Sequence, residues 1–125
     1  MLTGVCVGTD NLAAAGEFYD TVLATVGMHR SMQNDLEIGY AIEGGPNCFW
    51  VIKPYNGKHA TYGNGTQVIF SAQTKDQVAT FHSAALAAGG RNEGAPGQRN
   101  YREGYYGAYC RDLDGNKLHV FYVDN

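Results

Sequence analysis

Two segments of the chain carry apolar residues at helical spacing, and each has a recognisable beginning and end. The first follows Asp10 and Asn11, either of which can cap a helix, and it stops at Gly27. The second begins with Thr74 and Gln77 as a capping box and stops at a Gly-Gly pair. Two amphipathic helices are therefore predicted. Their apolar stripes are Leu12, Phe18, Tyr19, Val22, Leu23 and Val26 in the first, and Val78, Phe81, Ala85 and Leu86 in the second.

Short apolar or alternating segments, typical of β-strands, precede and follow both helices. The segments "TGVCVGT" and "TQVIFSA" come directly before them. After each helix, turn residues divide the chain into three further strand-like pieces, the last of which follows the turn Asp114-Gly115-Asn116. These pieces are residues 28–32, 36–42 and 48–54 in the first half, and about 91–97, 104–112 and 117–123 in the second.

The two halves of the chain are copies of one another. At an offset of 63 residues, strand, helix and cap positions match, and further along the offset becomes 70. Each half therefore reads β-α-β-β-β, with a first module at about residues 1–57 and a second at about 63–125. An α+β fold is predicted, in which the two modules form a curved mixed sheet around a central pocket. The matched pairs include Thr3 and Thr66, Val5 and Val68, Phe18 and Phe81, and Gly27 and Gly90.

Composition and charge narrow the classes of function. A chain of 125 residues is one domain by size, and its net charge of -3 comes from scattered charged residues. No basic patch indicates nucleic-acid binding, and no apolar run is long enough to span a membrane. Three cysteines without metal-type spacing indicate reduced thiols. A cytoplasmic protein is expected, with no nucleic-acid or membrane partner.

Three segments of the chain resemble the vicinal oxygen chelate superfamily, which includes glyoxalase I, bleomycin-resistance proteins and extradiol dioxygenases. They are "VCVGTDNLAAAGEFYDTVLATVG", "GNGTQVIFSAQTKDQVATFHSAALAAGG" and "YYGAYCRDLDGNKLHVFY". The turn and strand "RDLDGNKL" is the most specific part. The resemblance implies the same two-module fold, a small-molecule ligand between the modules, and a homodimer.

The resemblance also implies where a metal would bind, with one ligand from the first and one from the last strand of each module. Gly4 and Gln67 stand at the first-strand positions, and Phe49 and His119 at the last-strand positions. Glycine and phenylalanine have no donor atom, and a catalytic metal generally takes three protein ligands. No metal is therefore favoured. Cys6, on the same strand face as Gly4, is the candidate that would complete a zinc, nickel, iron or manganese site with Gln67 and His119.

His119 lies in the middle of the last strand and has three interpretations that the sequence leaves open. It is a metal ligand, an acid-base group, or a neutral imidazole that lines the hollow and bonds to a nearby tyrosine. The resemblance places position 119 on the inward face, and an imidazole with a pKa of about 6.5 suits proton transfer. His119 is the candidate catalytic residue.

Four further residues are candidates for ligand binding. Phe49 suits an apolar floor for a planar substrate, with core packing as the alternative, and Gln67 is the neighbouring polar group. In "QRNYREGYYG", Arg102 suits a carboxylate or phosphate and Tyr106 suits hydrogen bonding or stacking, with an ordinary solvated loop as the alternative. Trp50 is expected to point the other way, towards a helix.

Three functions remain open on this basis. The first is a glyoxalase-like protein with an incomplete metal-ligand set that binds a small planar or vicinal-oxygen substrate, with lyase or dioxygenase chemistry. The second is a metal-free protein that binds or sequesters a small molecule, similar to bleomycin-resistance proteins. The third is a metal-free enzyme that uses His119 for acid-base chemistry. Whether the chain is an enzyme is left open.

Overall fold

The computed structural model of the protein describes residues 1–124 and contains two β-α-β-β-β modules in succession, as the sequence predicted. Asn125, with which the predicted second module ends, lies outside the described residues. The first module consists of β1 (Val5–Gly8), α1 (Leu12–Ala24), β2 (Met28–Gln33), β3 (Glu37–Ile42) and β4 (Phe49–Ile52). The second consists of β5 (Gln67–Ser71), α2 (Lys75–Ala87), β6 (Arg91–Gln98), β7 (Tyr105–Arg111) and β8 (Lys117–Val123).

Each module forms its own four-stranded mixed sheet. The strand orders are β1-β4-β3-β2 and β5-β8-β7-β6, so the repeat in the sequence appears again in the topology. In both sheets the first strand pairs in parallel with the last, and the other pairs are antiparallel. The first strand of each module is therefore a sheet edge, and the last strand lies inside the sheet.

Side chains cap both helices at the predicted positions. The side chain of Asn11 accepts a hydrogen bond from the backbone N–H of Ala14 at 3.0 Å. Thr74 accepts from the N–H of Gln77, also at 3.0 Å. Each cap satisfies an N–H group that the first helical turn leaves without a partner.

One hydrophobic core joins the two modules through their helix-covered sides. The rings of Tyr19, Phe49, Phe70 and Phe81 follow one another with centroid distances of 5.0, 5.5 and 5.6 Å, and this series runs from α1 and β4 of the first module to β5 and α2 of the second. Helices α1 and α2 also contact each other. Because both helices lie at this junction, the opposite face of each sheet is not covered by a helix. We call these faces the first and second open faces.

The carboxylate of Asp112 ties the modules together at the turn before β8. It is buried, and it accepts a hydrogen bond from the hydroxyl of Tyr19 in α1 at 2.5 Å. It also accepts from Asn116, whose side-chain amide donates to the backbone oxygen of Gly8 in β1 at 3.0 Å. Gly115 occupies this turn with a φ of 88°, as the turn motif predicted. One buried carboxyl group thus connects elements of both modules.

Hydrogen bonds of Asp10 anchor the segment that connects the two modules. One carboxylate oxygen of Asp10 accepts from the backbone N–H of Ala60 at 2.7 Å, and the other lies 3.2 Å from Nδ1 of His59. The backbone N–H of Asp10 donates to the side chain of Asp114 at 3.0 Å. The hydrogen bond from Ala60 holds the pKa of the Asp10 carboxyl below its usual value. The connecting segment is therefore anchored to both modules.

Among residues 1–124, no helix has the length and apolar character that crossing a membrane requires.

Removing the hydroxyl of Tyr19 should weaken the junction between the modules. We expect Tyr19→Phe to lower the free energy of unfolding by about 1–3 kcal/mol, because the buried carboxyl group of Asp112 loses the hydroxyl group of Tyr19 as one of its hydrogen-bond donors. Urea denaturation of this variant and of Tyr55→Phe, whose side chain is fully exposed, measures the difference. Equal stability of the two variants would contradict the role assigned to Asp112.

Candidate functional site

His119 lies on the second open face, beneath a group of aromatic rings. On β8 it pairs with Tyr109 of β7 and Ile69 of β5, and it is 3% exposed. Its Nε2 atom lies 3.2 Å from the hydroxyl of Tyr105, whereas its Nδ1 atom is buried and has no hydrogen-bond partner among the described residues. A β-carbon at Gly107 would lie 3.1 Å from Nε2, so the glycine leaves room for the imidazole.

Four rings surround the imidazole, and together with it they form what we call the aromatic patch: His119, Phe121, Tyr101, Tyr105 and Tyr109. The His119 ring stacks on Tyr109 with centroids 4.2 Å apart, and Tyr105 stacks on Phe121 at 5.0 Å. Tyr101 reaches over from the connection between β6 and β7, where it meets Tyr105 edge-on and shares a hydrogen bond with the Tyr109 hydroxyl. All of these side chains belong to the second module.

Two cations stand beside the patch. Arg99 and Lys117 lie over the ring of Tyr109, at 5.5 and 5.1 Å from its centroid. Burial, and then the positive charges of Arg99 and Lys117, lower the pKa of His119 from its usual 6.5 to about 4. The imidazole is therefore neutral at physiological pH, and burial raises the pKa of Tyr109 to about 12, so that its hydroxyl remains protonated.

In the first module, the structure reverses the expected orientation of Phe49 and Trp50. Phe49 is 1% exposed and packs in the core against Tyr19 and Phe70, on the helix-covered side. Because side chains alternate along a strand, Trp50 is on the first open face. The pairing of Val5 with Phe49 and of Val68 with Leu118 makes Trp50, not Phe49, the equivalent of His119.

The indole of Trp50 lies across its sheet, over two glycines. A β-carbon at Gly39 would lie 2.9 Å from the indole nitrogen, and one at Gly4 would overlap the six-membered ring. These glycines flank β4 on both sides, so the indole spans three strands. Gly4 therefore leaves room for the indole of Trp50. The indole occupies the space that a metal-binding side chain at position 4 would need.

A cleft of about 450 Å³ opens at the seam between the modules. It lies between the edge strands β1 and β5, beside the end of β4 that begins with Phe49. Gln67 and Phe49 both contribute to its wall, and none of its residues carries a carboxylate, ammonium or guanidinium group. The lining residues are Leu2, Thr3, Gly4, Val5, Met28, Cys48, Phe49, Gln67, Val68, Ile69 and Phe70.

The other predicted ligand-binding residues, Arg102 and Tyr106, are not part of the cleft wall. Arg102 is in an exposed turn, next to Glu103, Gly104 and Asp124 in a separate shallow depression. Tyr106 is on the helix-covered side of the second sheet, where the ammonium of Lys75 lies 5.6 Å from its ring centroid. The structure thus brings Phe49 and Gln67 together in the cleft wall, whereas His119 lies outside that wall and pairs with Ile69, which lines the cleft.

The donor atoms do not fit a catalytic metal. Cys6 is on the first open face, whereas Gln67 and His119 belong to the second sheet, and Trp50 and Gly4 offer no ligand atom. Within residues 1–124 no three His, Cys, Asp or Glu side chains are grouped closely enough to hold a metal ion. Burial also raises the pKa of Cys6, with Glu37 adding to the effect, which disfavours the thiolate that a metal needs.

Sequence reasoning passed over Trp50 and Lys117 as site residues. For Lys117 a signal existed, because it stands two residues before His119 and so shares its strand face. For Trp50 no signal existed, since "CFWVI" is apolar throughout and has no alternation that could distinguish the faces.

Comparison with known proteins agrees with this architecture. The family model "Glyoxalase/Bleomycin resistance protein/Dioxygenase superfamily" matches residues 2–120. A glyoxalase/bleomycin resistance protein from Albidiferax ferrireducens T118 is 37% identical, with 96% of each chain covered and a TM-score of 0.86. Comparison with curated proteins gives no significant match.

Two more distant structures share the fold. A glyoxalase/bleomycin resistance protein/dioxygenase family enzyme from Burkholderia phytofirmans PsJN is 21% identical, with 98% of each chain covered and a TM-score of 0.76. A lactoylglutathione lyase from Agrobacterium tumefaciens is 20% identical, with 98% of this chain and 92% of the other covered and a TM-score of 0.68. With its duplicated β-α-β-β-β modules and a family match along nearly all its length, the chain belongs to the glyoxalase/bleomycin resistance protein/dioxygenase superfamily.

Proposed function

We propose that this glyoxalase-like protein binds a small, uncharged and largely planar molecule in the cleft between its modules, and that it does so without a resident metal. The observation that carries this proposal is the composition of the cleft wall, which is mostly apolar and contains no charged group. A volume of about 450 Å³ is within the range of small-molecule sites. An ionic ligand would lose its hydration there without gaining a partner.

Phe49 and Gln67 are the residues that we expect to select the ligand. Phe49 is almost fully buried between Tyr19 and Phe70, so it contributes an ordered apolar base beneath the cleft wall. Gln67 is exposed at the start of β5, and its amide offers both a donor and an acceptor. With the hydroxyl of Thr3, the wall offers only two uncharged oxygen- or nitrogen-bearing side chains among residues 1–124, which favours a planar molecule with few carbonyl or hydroxyl groups.

The same arrangement favours sequestration over metal-assisted turnover. The protein from Albidiferax ferrireducens T118, which is 37% identical, is described as a glyoxalase/bleomycin resistance protein. The donor set of this chain supports sequestration over lyase or dioxygenase chemistry, because it supplies too few metal ligands.

A second candidate function is metal-free acid-base chemistry at His119. It is favoured by the Nδ1 atom, which is buried and has no partner within the described residues. The pKa of about 4 keeps the imidazole neutral and able to accept a proton at physiological pH, but it also makes it a weak base, so this candidate depends on the geometry alone. A substrate would reach it from the β5 side, where Ile69 both pairs with His119 and lines the cleft.

We also propose that the protein forms a homodimer in the cytoplasm. Each sheet has one open face, and the charges of the two faces are complementary, since Glu37 is on the first and Arg99 and Lys117 are on the second. Contact between the rims of the first open face of one copy and the second open face of another would enclose a chamber between the two sheets, and the aromatic patch would line that chamber. The three free thiols suit a reducing compartment.

Binding in the cleft should be lost when a charge is placed in its wall. We expect the uncharged fluorescent probe N-phenyl-1-naphthylamine to bind in the presence of EDTA. Cys48→Glu should weaken this binding by about tenfold, because the exposed side chain of Cys48 lines the cleft. Fluorescence titration measures both affinities.

Cys6→Glu is the matched control for this experiment, because Cys6 is an exposed cysteine that is not part of the cleft wall. It should leave probe binding unchanged. Equal effects of the two substitutions, or binding that EDTA abolishes, would count against the proposal. So would near-stoichiometric metal in protein purified without chelator.

His119 should titrate far below an ordinary histidine. Its folded-state pKa of about 4 is lower than its usual 6.5, so its contribution to stability is complete above pH 6.5 and decreases as the pH falls towards 4. NMR of the imidazole should give the low pKa directly. In urea denaturation between pH 6.5 and 4, the unfolding free energy of the unsubstituted protein should fall by up to about 3 kcal/mol more than that of His119→Gln. A His119 pKa near 6.5 would contradict the effect assigned to burial and to the charges of Arg99 and Lys117.

Association of the open faces should depend on salt, because charged groups contribute to it. We expect sedimentation equilibrium to give a dimer mass at low salt and a lower association constant at high salt. Glu37→Lys should weaken the dimer, whereas Glu17→Lys, on α1, should not. A monomer at every salt concentration would show that the open faces do not pair.

A further inference from the structure

We propose that the aromatic patch on the second open face binds a planar aromatic carboxylate, with Tyr101 yielding its place to the ring of the ligand. This inference goes beyond the function proposed above, which concerns an uncharged molecule in the cleft. It rests on ring geometry, on the placement of two cations and on an imidazole atom that lacks a partner.

The side chain of Tyr101 occupies the position that we assign to the aromatic ring of the ligand. The other rings of the patch stand on strands β7 and β8, whereas Tyr101 comes from the connection between β6 and β7 and is 65% exposed. It lies edge-on to Tyr105 at 4.9 Å, and its hydroxyl bonds to that of Tyr109. Its position shows that the patch accepts a planar six-membered ring with a polar group at one end.

Displacing Tyr101 requires rotation of a side chain only. Backbone hydrogen bonds hold the connection on both sides of it, from the N–H of Arg99 to the oxygen of Tyr105 at 2.9 Å and from the N–H of Tyr105 to the oxygen of Arg102 at 3.3 Å. The loop can therefore keep its shape while the exposed phenol turns away. The four rings that remain would be those of Tyr105, Tyr109, His119 and Phe121, which all stand on strands of the sheet.

The two cations beside the patch, Arg99 and Lys117, favour a ligand with a carboxylate group. Arg99 and Lys117 both lie about 5 Å from the Tyr109 ring centroid. Neither forms an ion pair within residues 1–124, whereas the neighbouring Arg111 is paired with Glu93 at 2.6 Å. Arg99 donates to the backbone oxygens of Gln98 and Ala95 in β6, which do not neutralise its charge. Lys117 is also close enough to Glu93 for their charges to interact, but Glu93 accepts its hydrogen bond from Arg111. Two cations without an ion pair of their own, next to the rings of the patch, match one small anion.

The imidazole supplies a hydrogen-bond donor at the same place. If the hydroxyl of Tyr105 donates to Nε2 of His119, the proton of the neutral imidazole is on Nδ1. This buried Nδ1–H then has no acceptor among the described residues. A buried donor without an acceptor is costly, and an oxygen of an incoming ligand would satisfy it.

The experiment uses 4-hydroxybenzoate as the probe and Lys117→Gln as the main variant. Lys117 makes no side-chain hydrogen bond within residues 1–124, so its replacement should leave the fold intact. We expect saturable binding by isothermal titration calorimetry, weakened about tenfold by Lys117→Gln. The control is Lys75→Gln, which removes a similar cation from the other side of the same sheet, above Tyr106, and should change nothing.

Three further measurements define the site. Cyclohexanecarboxylate, with the same charge but no aromatic ring, should bind at least several-fold more weakly. Tyr101→Ala should bind 4-hydroxybenzoate more tightly, since the internal competitor is gone, and a loss of affinity would overturn the displacement of Tyr101. Sedimentation of each variant excludes a changed state of association as the cause.

The outcomes separate this proposal from the cleft. No saturable binding, equal binding by Lys117→Gln and Lys75→Gln, or equal affinity for the two carboxylates would overturn it. Cys48→Glu should leave 4-hydroxybenzoate binding unchanged, and Lys117→Gln should leave N-phenyl-1-naphthylamine binding unchanged. If each substitution abolished both activities, the two ligands would share one site and the inference of a separate one would fail.

Discussion

The buried carboxyl group of Asp112 is the constraint on which the arrangement of the two modules depends. A carboxyl group removed from water must be hydrogen-bonded, and burial raises its pKa even with its partners present. Its partners are the hydroxyl of Tyr19 in α1 and the amide groups of its own turn, and Asn116 extends the network to Gly8 in β1. Satisfying this one group therefore places the last turn of the chain against the first strand and the first helix.

That placement determines which surfaces of the modules remain available. With α1 next to α2 and Phe49 next to Phe70, the helix-covered sides merge into one core. The other sides of the sheets then face outwards, and within one chain they do not meet. A ligand site of this protein is consequently either the seam between the edge strands or an open face. A fully enclosed chamber would need a second copy.

The two copies of the module have diverged at equivalent positions, and this difference explains why the site does not suit a metal ion. Trp50 and His119 correspond in register, yet Trp50 lies flat over Gly4 and Gly39, whereas His119 stands among tyrosines and beside two cations. An indole cannot coordinate a metal, and the cations near His119 would repel one. The superfamily fold is retained here, while the groups around it favour stacking, hydrogen bonding and anion binding.

The sequence alone determined the duplicated modules, both helix caps and the turn at Gly115, because these depend on local propensity and on a repeat that needs no structure to be seen. The orientation of Phe49 and Trp50 was decided only by the pairing of β4 with β1, since both residues are aromatic and a shift of one residue exchanges the two faces. The neutral state of His119 was likewise decided by tertiary structure. It depends on burial and on Arg99 and Lys117, and the charge of Arg99 reaches the imidazole from a different strand connection because electrostatic interactions act through space.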